Sequence, residues 1–382
     1  MEPEQFSLEK GTLEDWLKER DSKSFPNINQ DKGDLPFQER YEEIKKILRP
    51  YHISIEKEAL LQSIKEREEF IRKKSGKLSR EEFAKELEKY PLYYLNNHGP
   101  NHVKEVISKA SEILREFPTC KLNAYEGYLL LCAVQFHDIG NIFGREGHEK
   151  KIKEIMEQKC KQILIDRPER NLIAKIAMVH GGLINNDRDT IKYLKEEQLM
   201  FAHPVKERLL AAILRFSDEL ADDYTRADKN ALENNSLPEE SIIYHKYSET
   251  LHSVKLEINP ENKKHCVRLE FDFDATDAFK TFKKNGIDVY LLNEIYDRTL
   301  KMERERRYCM RFLRPNISIE QIRVGISIQH PVYDIERDEI KYTLEEKGYP
   351  DEPSDIKIYS TALRSGEEEA NYLRKIWGLK NE

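Results

Sequence analysis

His137-Asp138 stands where the apolar run 128–136 gives way to Ile139-Gly140-Asn141, so an imidazole and a carboxylate sit side by side at the end of a segment apolar enough to be buried. A buried carboxylate is costly unless it meets a cation or strong donors. Four more groups of ligand type occupy comparable places along the chain: His102, His148, His180 and Asp218. Together these imidazoles and carboxylates form a donor set for one or two divalent metal ions, with Mn, Fe, Co, Ni, Zn and Mg all compatible. Ions held in this way support hydrolysis, because they make hydroxide accessible near neutral pH and neutralise charge developing on phosphoryl oxygens.

Helices must position these groups. His102 follows Gly99-Pro100-Asn101 and precedes Val103, Val106, Ile107, Ala110, Ile113 and Leu114, an i, i+3, i+4, i+7 stripe with Pro100 suited to the first turn. His180 continues the register of Ile173, Ile176 and Ala177, and Gly181-Gly182 stops that helix. Asp218 follows Leu209, Leu210, Ile213, Leu214 and Phe216 in a helix apolar nearly all round, where a carboxylate needs a partner. Gly140 suits a C-terminal break that aims His137 and Asp138 into one cavity. His98, one turn before His102, could be a general acid, a substrate contact or a partner to a ligand. Asn141 could only hydrogen-bond a phosphate. Arg145, Lys150, Lys151, Arg215 and Arg226 are candidate phosphate clamps, with surface helix charge as the equally weighted alternative.

In that order on helices, His102, His137-Asp138 and Asp218 resemble the H…HD…D signature of the HD-domain metal-dependent phosphohydrolases. The resemblance covers about residues 95–230. It implies a helical fold around one or two divalent cations and hydrolysis of phosphomonoester, phosphodiester or phosphoanhydride bonds. Residue by residue, it implies that His102, His137, Asp138 and Asp218 hold the first ion. In two-metal members the HD aspartate bridges and histidines from the intervening helices hold the second ion, and His148 and His180 stand at those places. Many members carry two adjacent histidines where this chain has His180-Gly181.

Departures narrow the substrate. The Gly-Tyr-Pro motif of cyclic-di-GMP phosphodiesterases is replaced by His-Gly-Gly-Leu-Ile-Asn, and the residues after His-Asp match neither the alarmone hydrolases nor the HD-x-Gly-Lys form. Phe143-Gly144 followed by His148 is similar to a looser pattern in deoxynucleotide triphosphohydrolases. The expected substrate is a small phosphorylated molecule, a nucleotide or cyclic nucleotide, with Asp138, His98 and Arg145 as catalytic candidates and Asn141, Lys150 and Arg226 as substrate contacts. The competing readings are a nuclease on single-stranded nucleic acid and a non-catalytic nucleotide-binding sensor or scaffold.

Composition bounds the rest. The 382 residues include 35% charged side chains and a net charge of −7, with mean hydropathy −0.76. This balance disfavours a nucleic-acid partner. The basic run 301–314 is read mainly as one face of a charged helix. Five scattered cysteines without a C-x-x-C pair suit a reducing cytoplasm, and no apolar stretch is long enough for a membrane span. A homo-oligomer is compatible with all of this.

The expected fold class is mainly α, an HD-type helical domain with an appended small α+β module. Residues 1–40 read as a peripheral N-terminal segment with a short helix near Thr12–Trp16. Residues 41–94 read as charged surface helices with a capping box at Ser79–Glu82, and 95–235 as the catalytic domain. Alternation at Val254–Ile258, Val267–Phe273 and Ile322–Ile328, with a helix from about Val289 to Phe312, predicts β-β-α-β over 240–330. Residues 331–382 read as a charged tail ending in an amphipathic segment near 372–379. His52, His203, His245, His252, His265 and His330 read as structural or exposed, His203-Pro204 as a helix start.

Overall fold

The computed structural model describes residues 11–21, 36–74, 77–87, 98–143, 148–164, 166–181, 183–184, 187–330, 339–346 and 355–379. In chain order the elements that matter here begin with α1 (Leu13–Asp21), α2 (Phe37–Lys74), α3 (Arg80–Leu87), α4 (Pro100–Glu116) and α5 (Ala124–Phe136). A 3-10 turn at Ile139–Phe143 leads to α6 (His148–Ile155), α7 (Arg167–Met178), the short hairpin β1 (Gln198–Met200) and β2 (His203–Val205), and α8 (Glu207–Leu220). Two compact units result: described residues in 11–59, 98–221 and 309–318 form the first, and the remainder form the second.

Helix α5 is the axis of the first unit. It opens with a reciprocal cap, Asn123 Oδ1 accepting from Glu126 N (2.9 Å) and Glu126 Oε2 from Asn123 N (3.0 Å). Every residue from Tyr125 to Phe136 is buried, which a helix achieves only when neighbours cover it on all sides. α1, α4, α7 and α8 all pack on it. Gly127, in mid-helix, leaves space for an aromatic ring: a Cβ there would lie 2.3 Å from the ring of Trp16.

The N-terminal region therefore differs from the expected peripheral segment. Leu13, Trp16 and Leu17 of α1 are buried, and the Leu13 amide donates to Ser111 Oγ at 2.8 Å. Two helices, α2 and α3, occupy the stretch read as charged surface helices, but α2, 38 residues long, is not a surface helix throughout: it buries Tyr41, Ile44, Leu48 and Ile55. Charged residues on its outer face hide that stripe from a reading of composition alone. Arg40 of α2 forms a buried ion pair with Glu169 of α7, which also accepts from Tyr125 (3.1 Å) and Tyr128 (3.2 Å). The Ser79–Glu82 box is present, with Ser79 N donating to Glu82 Oε2 at 3.0 Å and Glu82 N to Ser79 Oγ at 3.3 Å. His203-Pro204 lies in β2 rather than at a helix start. The left-handed backbone of Phe201 and Ala202 turns the chain back there, and α8 begins only at Glu207.

The second unit contains α9 (Lys229–Glu233), α10 (Glu239–Thr250), β3 (Leu251–Ile258), β4 (His265–Asp274), α11 (Ala275–Ala278), β5 (Thr281–Lys284), β6 (Ile287–Tyr290), most of α12 (Leu291–Leu313), β7 (Gln321–Gln329), β8 (Ile340–Glu345) and α13 (Gly366–Trp377). Its four-stranded sheet has the order β3-β4-β7-β8. β4 and β7 are parallel, with Leu269 opposite Val324, and the two outer pairs are antiparallel. A parallel pair needs a crossover, which the β5–β6 hairpin and α12 provide. The expected β-β-α-β order is thus interrupted by an extra hairpin and extended by β8. The sheet crosses the expected boundary at 331, since Ile340–Glu345 pairs with Gln321–Ile326. The alternation of Ile340, Tyr342 and Leu344 covers only six residues, among charges that resemble a tail.

The protein is mainly α with a small α+β module. No described helix is long and apolar enough to cross a membrane. All five cysteines are buried thiols.

Candidate metal centre

Five elements of the first unit deliver the site. Pro100 opens α4, and two residues later His102 points inward with a fully buried side chain. The chain leaves α5 through His137, still with helical backbone angles, and tightens into the 3-10 turn that carries Asn141. His148 is the first residue of α6, His180 follows the end of α7, and Asp218 lies in the last turns of α8.

The functional atoms meet in two groups that share one residue. His102 Nε2 lies 3.1 Å from Asp218 Oδ1, 3.5 Å from Asp138 Oδ2 and 3.4 Å from His137 Nε2. His137 Nε2 lies 3.3 Å from Asp138 Oδ2 and 3.4 Å from Asp218 Oδ1. The other oxygen of the shared aspartate, Asp138 Oδ1, faces His148 Nε2 at 3.4 Å and His180 Nε2 at 3.7 Å. Metal–ligand bonds of about 2.1 Å place adjacent ligand atoms about 3.0 Å apart in an octahedron and about 3.4 Å apart in a tetrahedron. The first group has these separations, and the second is slightly wider.

The hydrogen bonds behind the imidazoles favour a cation. His137 Nδ1 lies 2.7 Å from Val134 O and His180 Nδ1 2.6 Å from Ala177 O. A carbonyl only accepts, so both rings carry a proton on Nδ1, and each Nε2 faces the cluster, where it holds either a second proton or, without it, a lone pair for a cation. Lone pairs and carboxylates converging in a buried space repel one another unless positive charge lies between them. Burial opposes ionisation of Asp138, but His137, His98 and His102 outweigh it and hold its carboxyl well below the usual range. Burial likewise opposes the Asp218 anion, and hydrogen bonds from His102 and His137 overcome it. Burial would lower the His137 pKa, yet Asp138 and Asp218 raise it well above the ordinary value. Positive charge is drawn to this point, as proton or as metal.

The His/Asp groups therefore form two potential ligand sets, His102, His137, Asp138 and Asp218, and Asp138, His148 and His180. The HD-CE family model matches residues 88–301, more than half of the chain. The chain belongs to the HD-CE family. No curated protein matches it. All six ligand candidates fall inside the HD-CE match, which also extends through α10 and the β3–β4 and β5–β6 pairs into α12. An HD-type domain with this cluster points to a metal-dependent hydrolase whose site could hold a metal ion.

Among the remaining candidates, His98 is buried and its Nδ1 lies 2.7 Å from Asp138 Oδ2. Of the three roles open to it, partner to a ligand is the one this contact supports. Asn141 differs from the expectation that it could only meet a phosphate: its Nδ2 donates to Asp138 Oδ1 at 3.1 Å. Its own Oδ1 is buried and has no hydrogen-bond partner among the described residues. The spacing carried that signal, since residues i and i+3 eclipse in a 3-10 turn. Gly140 is not in a left-handed break but within the turn.

Arg215 donates from one guanidinium nitrogen to Thr190 Oγ1 (3.0 Å) and Val179 O (3.4 Å), and so braces the backbone beside His180. Sequence reasoning missed this brace because Thr190 is 25 residues away in sequence. Lys151 sits over the Phe143 ring and pairs with Glu154 at the surface. Arg226 belongs to the second unit, where it lies 3.7 Å from Asp222. Arg145 and the side chain of Lys150 lie outside the described residues, as do Gly144 and Gly182.

Proposed function

We propose that this protein is a metal-dependent phosphohydrolase that cleaves a phosphoester or phosphoanhydride bond of a nucleotide or cyclic nucleotide. The observation that carries this reading is the division of Asp138, one carboxylate oxygen toward His102, His137 and Asp218 and the other toward His148 and His180. A carboxylate divided in this way suits two neighbouring divalent cations, which supply Lewis acidity toward water and phosphoryl oxygens. His102, His137, Asp138 and Asp218 would hold one, and Asp138, His148 and His180 the other.

The protein's own groups prepare the site. His98 and Asn141 each grip one oxygen of Asp138, so the carboxylate plane is set before substrate arrives. His102 and His137 are fully buried, whereas the side chains of Asp218 and His148 are 24% and 17% exposed. Solvent and substrate therefore reach the cluster from the Asp218 side, since the Nε2 of His148 is itself buried. Phosphate selection would fall to basic side chains, for which Arg145, Lys150 and Arg226 are the candidates the sequence offers.

The test is elemental analysis of purified protein paired with phosphate release from a panel of nucleotides and cyclic nucleotides, wild type against Asp138→Ala. The expected outcome is bound divalent metal and turnover in the wild type and loss of both in the variant. Unchanged metal content and activity in Asp138→Ala would refute the assignment.

A further inference from the structure

The two ligand groups are supported differently. Those of the first come from α4, α8 and the end of α5, which pack directly on one another. His148 comes from α6, a helix of eight residues, and reaches the cluster from its first position. The body of α6 packs on α7, and its start is in contact with the turn at Ile139–Phe143.

Gly140 is at the centre of this contact. A Cβ placed there would lie 1.9 Å from His148 O, 2.7 Å from its carbonyl carbon and 3.2 Å from its Cα. All three are backbone atoms of the ligand residue itself, so no side-chain rotation relieves the clash. The glycine is absent from the left-handed region, so its backbone conformation does not demand glycine. Room is what it provides.

We infer that Gly140 is the positioning residue of the second cation site. By lacking a side chain it lets the start of α6 close on the turn and brings His148 Nε2 to 3.4 Å from Asp138 Oδ1. Real Cβ contacts essentially never fall below 3.0 Å. A methyl group at Gly140 thus forces the His148 backbone back by roughly 1 Å, several times the ±0.2 Å tolerance of a metal–ligand bond. Of the first group only Asp138 adjoins this turn; His102 and Asp218 come from α4 and α8, outside the contact, so the first group is expected to keep its geometry. This inference rests on the two-cation reading above.

The test is Mn²⁺ titration calorimetry, with elemental analysis after gel filtration, on full-length wild type, Gly140→Ala, His148→Ala and Gly181→Ala. Gly181 is the matched control, since a Cβ there meets nothing within 4 Å among the described residues although it adjoins His180. Wild type and Gly181→Ala are expected to bind two ions. Gly140→Ala should keep the first step and weaken the second by about 10- to 100-fold, the size of effect produced by losing support behind a ligand. Adding Gly140→Ala to His148→Ala should change nothing further. Retention of both steps at wild-type affinity in Gly140→Ala overturns the proposal. So does equal loss of both steps, or global unfolding seen by circular dichroism, since either would make the contact part of the core. A wild type that binds a single ion defeats the two-cation reading itself and this inference with it, an outcome distinct from two ions in both proteins.

Discussion

Replacing Asp138 by Asn keeps the shape of the side chain and removes its charge, so it isolates what the divided carboxylate does. Both oxygens accept: Oδ2 faces His98 Nδ1 at 2.7 Å, and Oδ1 faces Asn141 Nδ2 at 3.1 Å. An amide has one acceptor and one donor, and either orientation aims its NH2 at a group that now donates. If the NH2 takes the Oδ1 place, it opposes Asn141 and leaves no negative charge on the side of His148 and His180. If it takes the Oδ2 place, it opposes His98 and faces His102 and His137. Breaking a buried charged contact from one side costs about 3–5 kcal/mol, and each 1.4 kcal/mol is a factor of about ten. The expected result is a loss of at least about 100-fold in affinity at both cation sites. Asp218→Asn supplies the contrast, because among the ligand candidates Asp218 faces His102 and His137 and not His148 or His180; it should weaken one binding step and spare the other. Mn²⁺ calorimetry on the two variants, with circular dichroism to confirm the fold, reads the pattern directly. Loss of a single step in Asp138→Asn, or loss of both in Asp218→Asn, would refute the shared role of Asp138.

Three further outcomes follow from the packing of the first unit. Gly127→Ala pushes a methyl into the Trp16 ring, and overpacking of this kind costs about 1–3 kcal/mol, seen as a lower Tm in thermal denaturation. Arg40→Ala leaves Glu169 buried with Tyr125 and Tyr128 as its donors among the described residues, at a cost of about 3–5 kcal/mol by urea denaturation, and an unchanged midpoint would remove the pair from the stability account. His52, whose Nε2 donates to Gln135 O at 2.9 Å, has its pKa lowered by burial from 6.5 to about 4. The unfolded chain therefore takes up a proton on His52 near pH 6.5 while the folded one stays neutral, so its contribution is complete above pH 6.5 and is lost as pH falls toward 4. The loss approaches about 3 kcal/mol. His52→Gln, which can still donate to Gln135 O, should flatten that part of the stability-versus-pH curve, and an identical slope in the variant would rule out His52 as its source.

Helical and strand registers are local properties, and this is why so much of the site was legible in the amino-acid sequence. His102, His180 and Asp218 stand at core-facing positions of periodic apolar stripes, and a period of 3.6 residues places them inward before any neighbour is known. The alternation in β4 and β7 announced strands for the same reason. The α1 segment shows the limit: it read as peripheral because nothing in its own nine residues reveals that Gly127, over a hundred positions later, leaves a socket for the Trp16 ring. β8 shows it again, since a six-residue alternation becomes a strand only when β7 offers a free edge.

The amino-acid sequence by itself determined which residues could be ligands and that helices carry them. Tertiary structure alone decided how they divide. Which oxygen of Asp138 faces His102 and His137 and which faces His148 and His180, that Asn141 grips the carboxylate, and that Arg215 braces Val179 all depend on the packing of α4, α5, α6, α7 and α8 at one point. Distances of 3–4 Å between side chains from five elements are set by packing contacts, and those contacts join residues far apart in the chain.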